Sequence, residues 1–174
     1  VTKAPKMTRL VVGLDPGHSA GIVVCGRGED GHGYVLDDVS LTAGPLSWAA
    51  QSVAAYHKWH ANAIIAEKNH GGEMVESTLA TVDKDAAVQT VWASHGKAAR
   101  AEPVVAKYQK GLVHHVGTFG ELEDQMTNWY PESGLPSPDR LDACVWALHA
   151  LMLGPGPAPM VGVGGATQVS HWRS

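Results

Sequence analysis

Four acidic residues stand at positions where a bland globular domain seldom places carboxylates. Asp15 closes the apolar run LVVGLD, Glu67 closes AIIAE, and Asp139 and Asp142 lie three apart in SPDRLDACVWAL. Residues three apart on a helix share a face, so the last two project together. Carboxylates at the ends of buried strands lose hydration, and several close together repel, so such a set needs a compensating cation. Hard oxygen donors select Mg²⁺ or Mn²⁺. Two such ions, roughly 3.5–4 Å apart, activate a water and stabilise the leaving oxygen in an in-line displacement at a phosphodiester. The chemistry such a set could perform is metal-dependent hydrolysis of nucleic acid.

Each acid also has a plainer reading. Asp before Pro-Gly is ordinary turn chemistry. Glu67, followed by Lys-Asn-His-Gly-Gly, suits a solvated strand end. Asp139 in a first helical turn stabilises the helix dipole without any further role. Asp142 is harder to dismiss, because it lies a turn further in, beside an apolar stripe. The signal is the combination and order of the four.

The elements that must position these acids can be read from periodicity. Residues 10–15, 21–28 and 34–41 read as three strands, the latter two a hairpin around GEDGHG. Residues 45–60 repeat apolar positions at helical spacing, with Pro45 in the first turn. Residues 63–66 form a continuous apolar run, as in a strand buried on both faces. Gly71-Gly72 opens a helix through about Val82, 88–93 reads as a strand, and 97–109 as a helix that Pro103 threatens to kink or split. A short edge strand at 112–116 and a helix at 119–130 follow. The last helix has Ser137 as its expected N-cap, Pro138 as first helical residue, and Leu141, Cys144, Val145, Leu148, Leu151 and Met152 as its buried stripe. The order predicts an α/β fold of the ribonuclease H-like type, a mixed central sheet flanked by helices.

With 174 residues, 44% of them hydrophobic, the chain suits one domain with a real core. Two cysteines, Cys25 and Cys144, have no zinc-like spacing and read as free thiols. No apolar run nears the roughly 20 residues of a membrane span, and the N-terminus lacks a signal-peptide core, so a cytosolic protein is expected. A formal net charge of -4 means that any DNA contact must come from local basic patches. The histidines lack ligand spacing, apart from His57 and His60 on an outer face. His18 and His70 flank the acidic motifs and are weaker candidates for touching substrate or a water.

The segments GLDPGHSAG, IIAEKNHGG and SPDRLDACVWAL resemble, in order, the C-terminal nuclease domain of the large terminase subunit of tailed bacteriophages, with the resolvase RuvC a more distant relative. The likeness covers about residues 8–153, leaving 1–7 as a linker remnant and 154–174 as a flexible Gly/Pro-rich tail. It implies an endonuclease that cuts concatemeric viral double-stranded DNA during packaging with two Mg²⁺ or Mn²⁺ ions, in the cytoplasm of the infected bacterial host. By motif, Asp15 looks like the acid bridging both metals, Glu67 like the second ligand, and Asp142 like the third, with Asp139 auxiliary. The family pattern does not settle the order of the last two. Lys97 and Arg100 resemble a basic pair of that domain and are expected on DNA, as are Lys68, Asn69 and Lys107; Lys110 is a further candidate, and Gly71 and Gly72 would let backbone amides approach a phosphate. A solvated helix face explains Lys107 and Lys110 equally well, and a plain turn explains Asn69, Gly71 and Gly72. No P-loop occurs, so the expected partners include a separate N-terminal ATPase domain, the small terminase subunit and the portal or procapsid, and no membrane.

Two rivals remain at this level. Asp15, Gly17, Ser19 and Gly21 also resemble the first phosphate loop of the actin and sugar-kinase class, and a ribonuclease H-like module can clamp DNA without cutting it.

Overall fold

The computed structural model describes residues 1–68, 72–92, 96–130, 133, 135 and 138–154. Asn69, His70, Gly71, the expected cap Ser137 and the tail beyond Gly154 lie outside them. In chain order the elements are β1 (Met7–Asp15), β2 (Ser19–Gly28), β3 (Gly33–Asp38), β4 (Leu41–Thr42), α1 (Pro45–Lys58), β5 (Ala63–Lys68), α2 (Gly72–Val82), β6 (Val88–Trp92), α3 (Lys97–Gln109), β7 (Val113–His115), α4 (Gly120–Asn128) and α5 (Asp139–Met152).

The main sheet runs β6-β5-β1-β2-β3-β7, and β4 pairs with the start of β2. β1 is antiparallel to β2 and parallel to β5, so the sheet is mixed. The central strands are apolar on both faces because helices cover both. One face packs Val12, Leu14, Ile22, Val24 and Ile64 against Trp48 and Val53 of α1 and Leu79 of α2. The other packs Val11, Val23, Cys25 and Ile65 against Val104 of α3, Leu122 of α4 and Leu148 of α5. Cys25 and Cys144 are free and buried. Among the described residues no helix is long and apolar enough to cross a membrane.

Three local expectations are corrected. The strand expected over 34–41 ends at Asp38 and resumes as β4, because Ser40 intervenes. Its hydroxyl accepts the Ile22 amide at 2.8 Å and donates to Asp38 Oδ1 at 2.6 Å, replacing a ladder bond with side-chain bonds that turn the backbone. Pro138 is the N-cap of α5 rather than its first helical residue: its ψ of 74° is not helical, while its carbonyl accepts the Asp142 amide at 2.9 Å. Pro103 neither ends nor divides α3. It is exposed, so water can satisfy the carbonyl it leaves without a donor.

Candidate active site

Strand alternation puts two of the acids on one face. Val11, Gly13 and Asp15 of β1 point toward α5, and so do Ala63, Ile65 and Glu67 of β5. The parallel register ends with Leu14 beside Ala66, so the next residues, Asp15 and Glu67, lie at neighbouring strand ends. α5 then crosses these strands at a distance that only glycine permits. A methyl group on Gly13 would lie 2.0 Å from the Ala143 carbonyl oxygen, and one on Gly21 would lie 1.8 Å from that of Asp139. Gly21 is the residue paired with Asp15, so the seat of α5 fixes Asp139 and Asp142 over the end of β1. Arg140 anchors the same turn of the helix, its Nη1 donating to both oxygens of Asp38 at 2.9 Å.

Asp15, Glu67 and Asp142 are the buried charged residues among those described, at 7%, 4% and 5% exposure. Burial first, then the charges of Asp142 and Glu67, pushes the Asp15 carboxyl up to about 8, with Asp139 adding and Lys97 opposing. Asp142 is also raised by burial, against a hydrogen bond and charge from Lys97 and the charge of Arg100. Lys97 Nζ contacts Asp142 Oδ2, while Arg100 lies 3.1 Å from Glu67 Oε1 and 3.9 Å from Asp142 Oδ1. The remaining oxygen of Glu67 accepts the indole N–H of Trp146 at 3.0 Å. The same indole carries the Arg100 guanidinium, 4.6 Å from its ring centre.

The family model of the terminase RNase H-like domain matches residues 12–151. The chain belongs to the terminase RNase H-like domain family. Solved structures share its fold at low sequence identity. The large terminase of one thermophilic bacteriophage matches with a TM-score of 0.68 at 14% identity, over 88% of this chain and 42% of that one. The large terminase nuclease of a thermophilic phage, G20c, matches with a TM-score of 0.59 at 13% identity, over 80% and 81% of the two chains. The yeast mitochondrial Holliday junction resolvase Ydc2 matches at 0.55 and 13% identity, over 86% and 82%. No curated protein matches by sequence. The sheet and helix order is thus the ribonuclease H-like fold of this family.

Within this terminase-family domain, Asp15, Glu67 and Asp142 converge, and Asp139 is half-buried in the first turn of α5, near enough to act on Asp15. Lys97 and Arg100, expected to face DNA, lie against the acids themselves. Lys68 sits at the edge of the site, 3.8 Å from Glu76 and 5.7 Å from the centre of the exposed Trp92 ring. Lys107 is ten residues beyond Lys97, roughly 15 Å along α3, in the helix's last turn. Lys110 and His18 are exposed. Asn69 lies outside the described residues.

The donor chemistry suits a hard dication, because among the described residues three buried carboxylates meet two cationic side chains, Lys97 and Arg100, and Asp15 keeps the imbalance. Among the described residues no three acids or other ligand-type side chains yet form a cation cage. Arg100 bridges Glu67 and Asp142 instead. Sequence reading missed Trp146, Arg140 and the two glycines that admit α5. Trp146 lies four residues after Asp142 and so on its face of the helix, a spacing that could have singled it out.

Proposed function

We propose that the chain is a divalent-metal-dependent endonuclease that hydrolyses double-stranded viral DNA during genome packaging, with residues 8–153 as its nuclease domain. The observation that carries this reading is the burial of Asp15, Glu67 and Asp142 together at the ends of β1 and β5 and the start of α5, in a member of the terminase RNase H-like family. Asp15, Glu67 and Asp142, with Asp139, would hold Mg²⁺ or Mn²⁺, two ions on this reading. The bound cations would lower the pKa of a water and stabilise the leaving oxygen.

The chain's own side chains do the positioning. Trp146 fixes one oxygen of Glu67 and leaves the other turned into the site. The seat of α5 on Gly13 and Gly21 sets Asp142 and Asp139 against Asp15. Lys97, Arg100 and Lys68, with Lys107 further along α3, would supply the charge that a phosphate backbone requires of a chain whose formal net charge is -4, and Asn69 would add a neutral hydrogen-bond donor. The proposed setting is the cytoplasm of an infected bacterial host, with an ATPase domain, a small terminase subunit and a portal or procapsid as partners.

Plasmid cleavage tests the reading. The purified chain should nick and then linearise supercoiled DNA with Mn²⁺ or Mg²⁺ and stop with EDTA. Asp15→Ala, still folded by circular dichroism, should lose the activity. A folded wild-type chain that binds DNA but never cuts it would favour a clamping module instead.

A further inference from the structure

Arg100 carries buried hydrogen-bond donors that the fold leaves unsatisfied. Its side chain is 9% exposed, lies against Glu67 and Asp142, and is stacked on Trp146. Even so, among the described residues its Nε and Nη1 make no hydrogen bond. The 3.1 Å approach of Nη1 to Glu67 Oε1 is therefore attraction between charges, without the alignment of a donor and acceptor. A buried guanidinium ordinarily fills its fork of donors, most strongly with carboxylate or phosphate oxygens. Two empty donors on a permanent cation, beside three buried acids, mark a place for an anionic oxygen that arrives from outside.

The acids that Arg100 neutralises are the ones assigned above to the divalent cation, so guanidinium and cation compete for the same oxygens. Resting on that metal-dependent reading, we infer that Arg100 is an exchangeable counter-ion. Without DNA it holds Glu67 and Asp142; when a backbone phosphate enters, its donors pass to a phosphate oxygen and the two acids are released to the cation. Lys97, one turn earlier on α3 and in contact with Asp142, acts in the same direction. DNA and the divalent cation then bind cooperatively, and the coupling is reciprocal by thermodynamic necessity. A cation arriving before DNA meets acids already occupied, which would restrain the site until substrate is seated.

The test is Mn²⁺ binding followed by electron paramagnetic resonance, with and without a phosphorothioate duplex that resists cutting, after subtracting Mn²⁺ bound by the duplex alone. The wild-type chain should bind Mn²⁺ about tenfold more tightly with the duplex present, within the usual range of such couplings. Arg100→Gln should bind Mn²⁺ about fivefold more tightly than wild type in the absence of DNA and lose most of the duplex effect. Lys97→Gln, at a position whose side chain is 33% exposed, should shift both quantities the same way by less, and provides the test if Arg100→Gln does not fold. Mn²⁺ affinity that is unchanged or weaker in the folded variants without DNA, or a duplex effect equal to wild type, overturns the exchange and leaves the metal site standing. Absence of Mn²⁺ binding by the wild-type chain under both conditions overturns the metal-dependent reading itself.

Discussion

The indole N–H of Trp146 donates to Glu67 Oε2 at 3.0 Å, which ties the end of β5 to the second turn of α5 across 79 residues of sequence. The bond leaves Glu67 Oε1 facing Arg100 and fixes the plane of a carboxylate that the proposed reaction needs. Removing such a supporting bond typically costs about 10–100-fold in metal affinity or activity. Trp146→Phe keeps the ring under Arg100 but deletes the donor. It should lower the cleavage rate or raise the Mn²⁺ midpoint by that factor while destabilising the fold by only about 1–3 kcal/mol. Plasmid cleavage across a Mn²⁺ series, beside a urea denaturation curve, separates the two effects. A variant with wild-type rate and Mn²⁺ midpoint would remove Trp146 from the site.

The close seat of α5 should be intolerant of a single methyl group. Gly21→Ala puts Cβ 1.8 Å from the Asp139 carbonyl oxygen, a backbone atom that cannot swing aside, so the helix must shift. Overpacking of this kind costs about 1–3 kcal/mol or more. Cleavage should fall further than stability alone accounts for, because the same shift moves Asp139 and Asp142. Gly120→Ala, where a methyl meets nothing within 4 Å, should leave both nearly unchanged. Thermal melts and cleavage rates of the two variants check the contrast, and equal behaviour would refute the steric argument.

The Asp15 carboxyl links stability to pH. Burial, then the neighbouring Asp142 and Glu67, raises it to about 8 in the fold, against roughly 3.9 in an unfolded chain. The folded state therefore holds a proton that the unfolded state has released. Its contribution to stability is complete below about pH 4 and is lost as pH rises through about 8, with a slope of at most about 1.4 kcal/mol per pH unit. Asp142, also raised by burial, works in the same direction. In EDTA, the unfolding free energy should fall between pH 5 and 8, and Asp15→Asn should flatten much of that fall. Denaturation curves at several pH values decide it, and parallel profiles for the two proteins would contradict the assignment.

The fold was largely legible because its signals are local. The continuous apolar run before Glu67 marked a strand covered on both faces, and the stripe from Leu141 to Met152 marked α5. The bend at Ser40 was not visible, because it depends on bonds to Ile22 and Asp38 that exist only once the strands pair. Among the candidate site residues, the acids stood out because a carboxylate ending an apolar run is unusual. Trp146 did not, since an aromatic residue in a buried stripe reads as core until its N–H is traced to Glu67. Lys97 and Arg100 were singled out by their resemblance to a basic pair of the family, but a resemblance cannot say whether such side chains meet solvent, phosphate or the acids. Gly13 and Gly21 were opaque for the same reason: their importance lies in the backbone of a helix more than a hundred residues away.

The most direct test of the central claim is anomalous diffraction from crystals of the chain bound to an uncleavable phosphorothioate duplex and soaked in Mn²⁺. Peaks enclosed by Asp15, Glu67 and Asp142, with Asp139 at the edge and Arg100 withdrawn from the acids, are the predicted result. Cleavage-competent protein with no Mn²⁺ peak among these residues, or with its only peak elsewhere, would contradict the account.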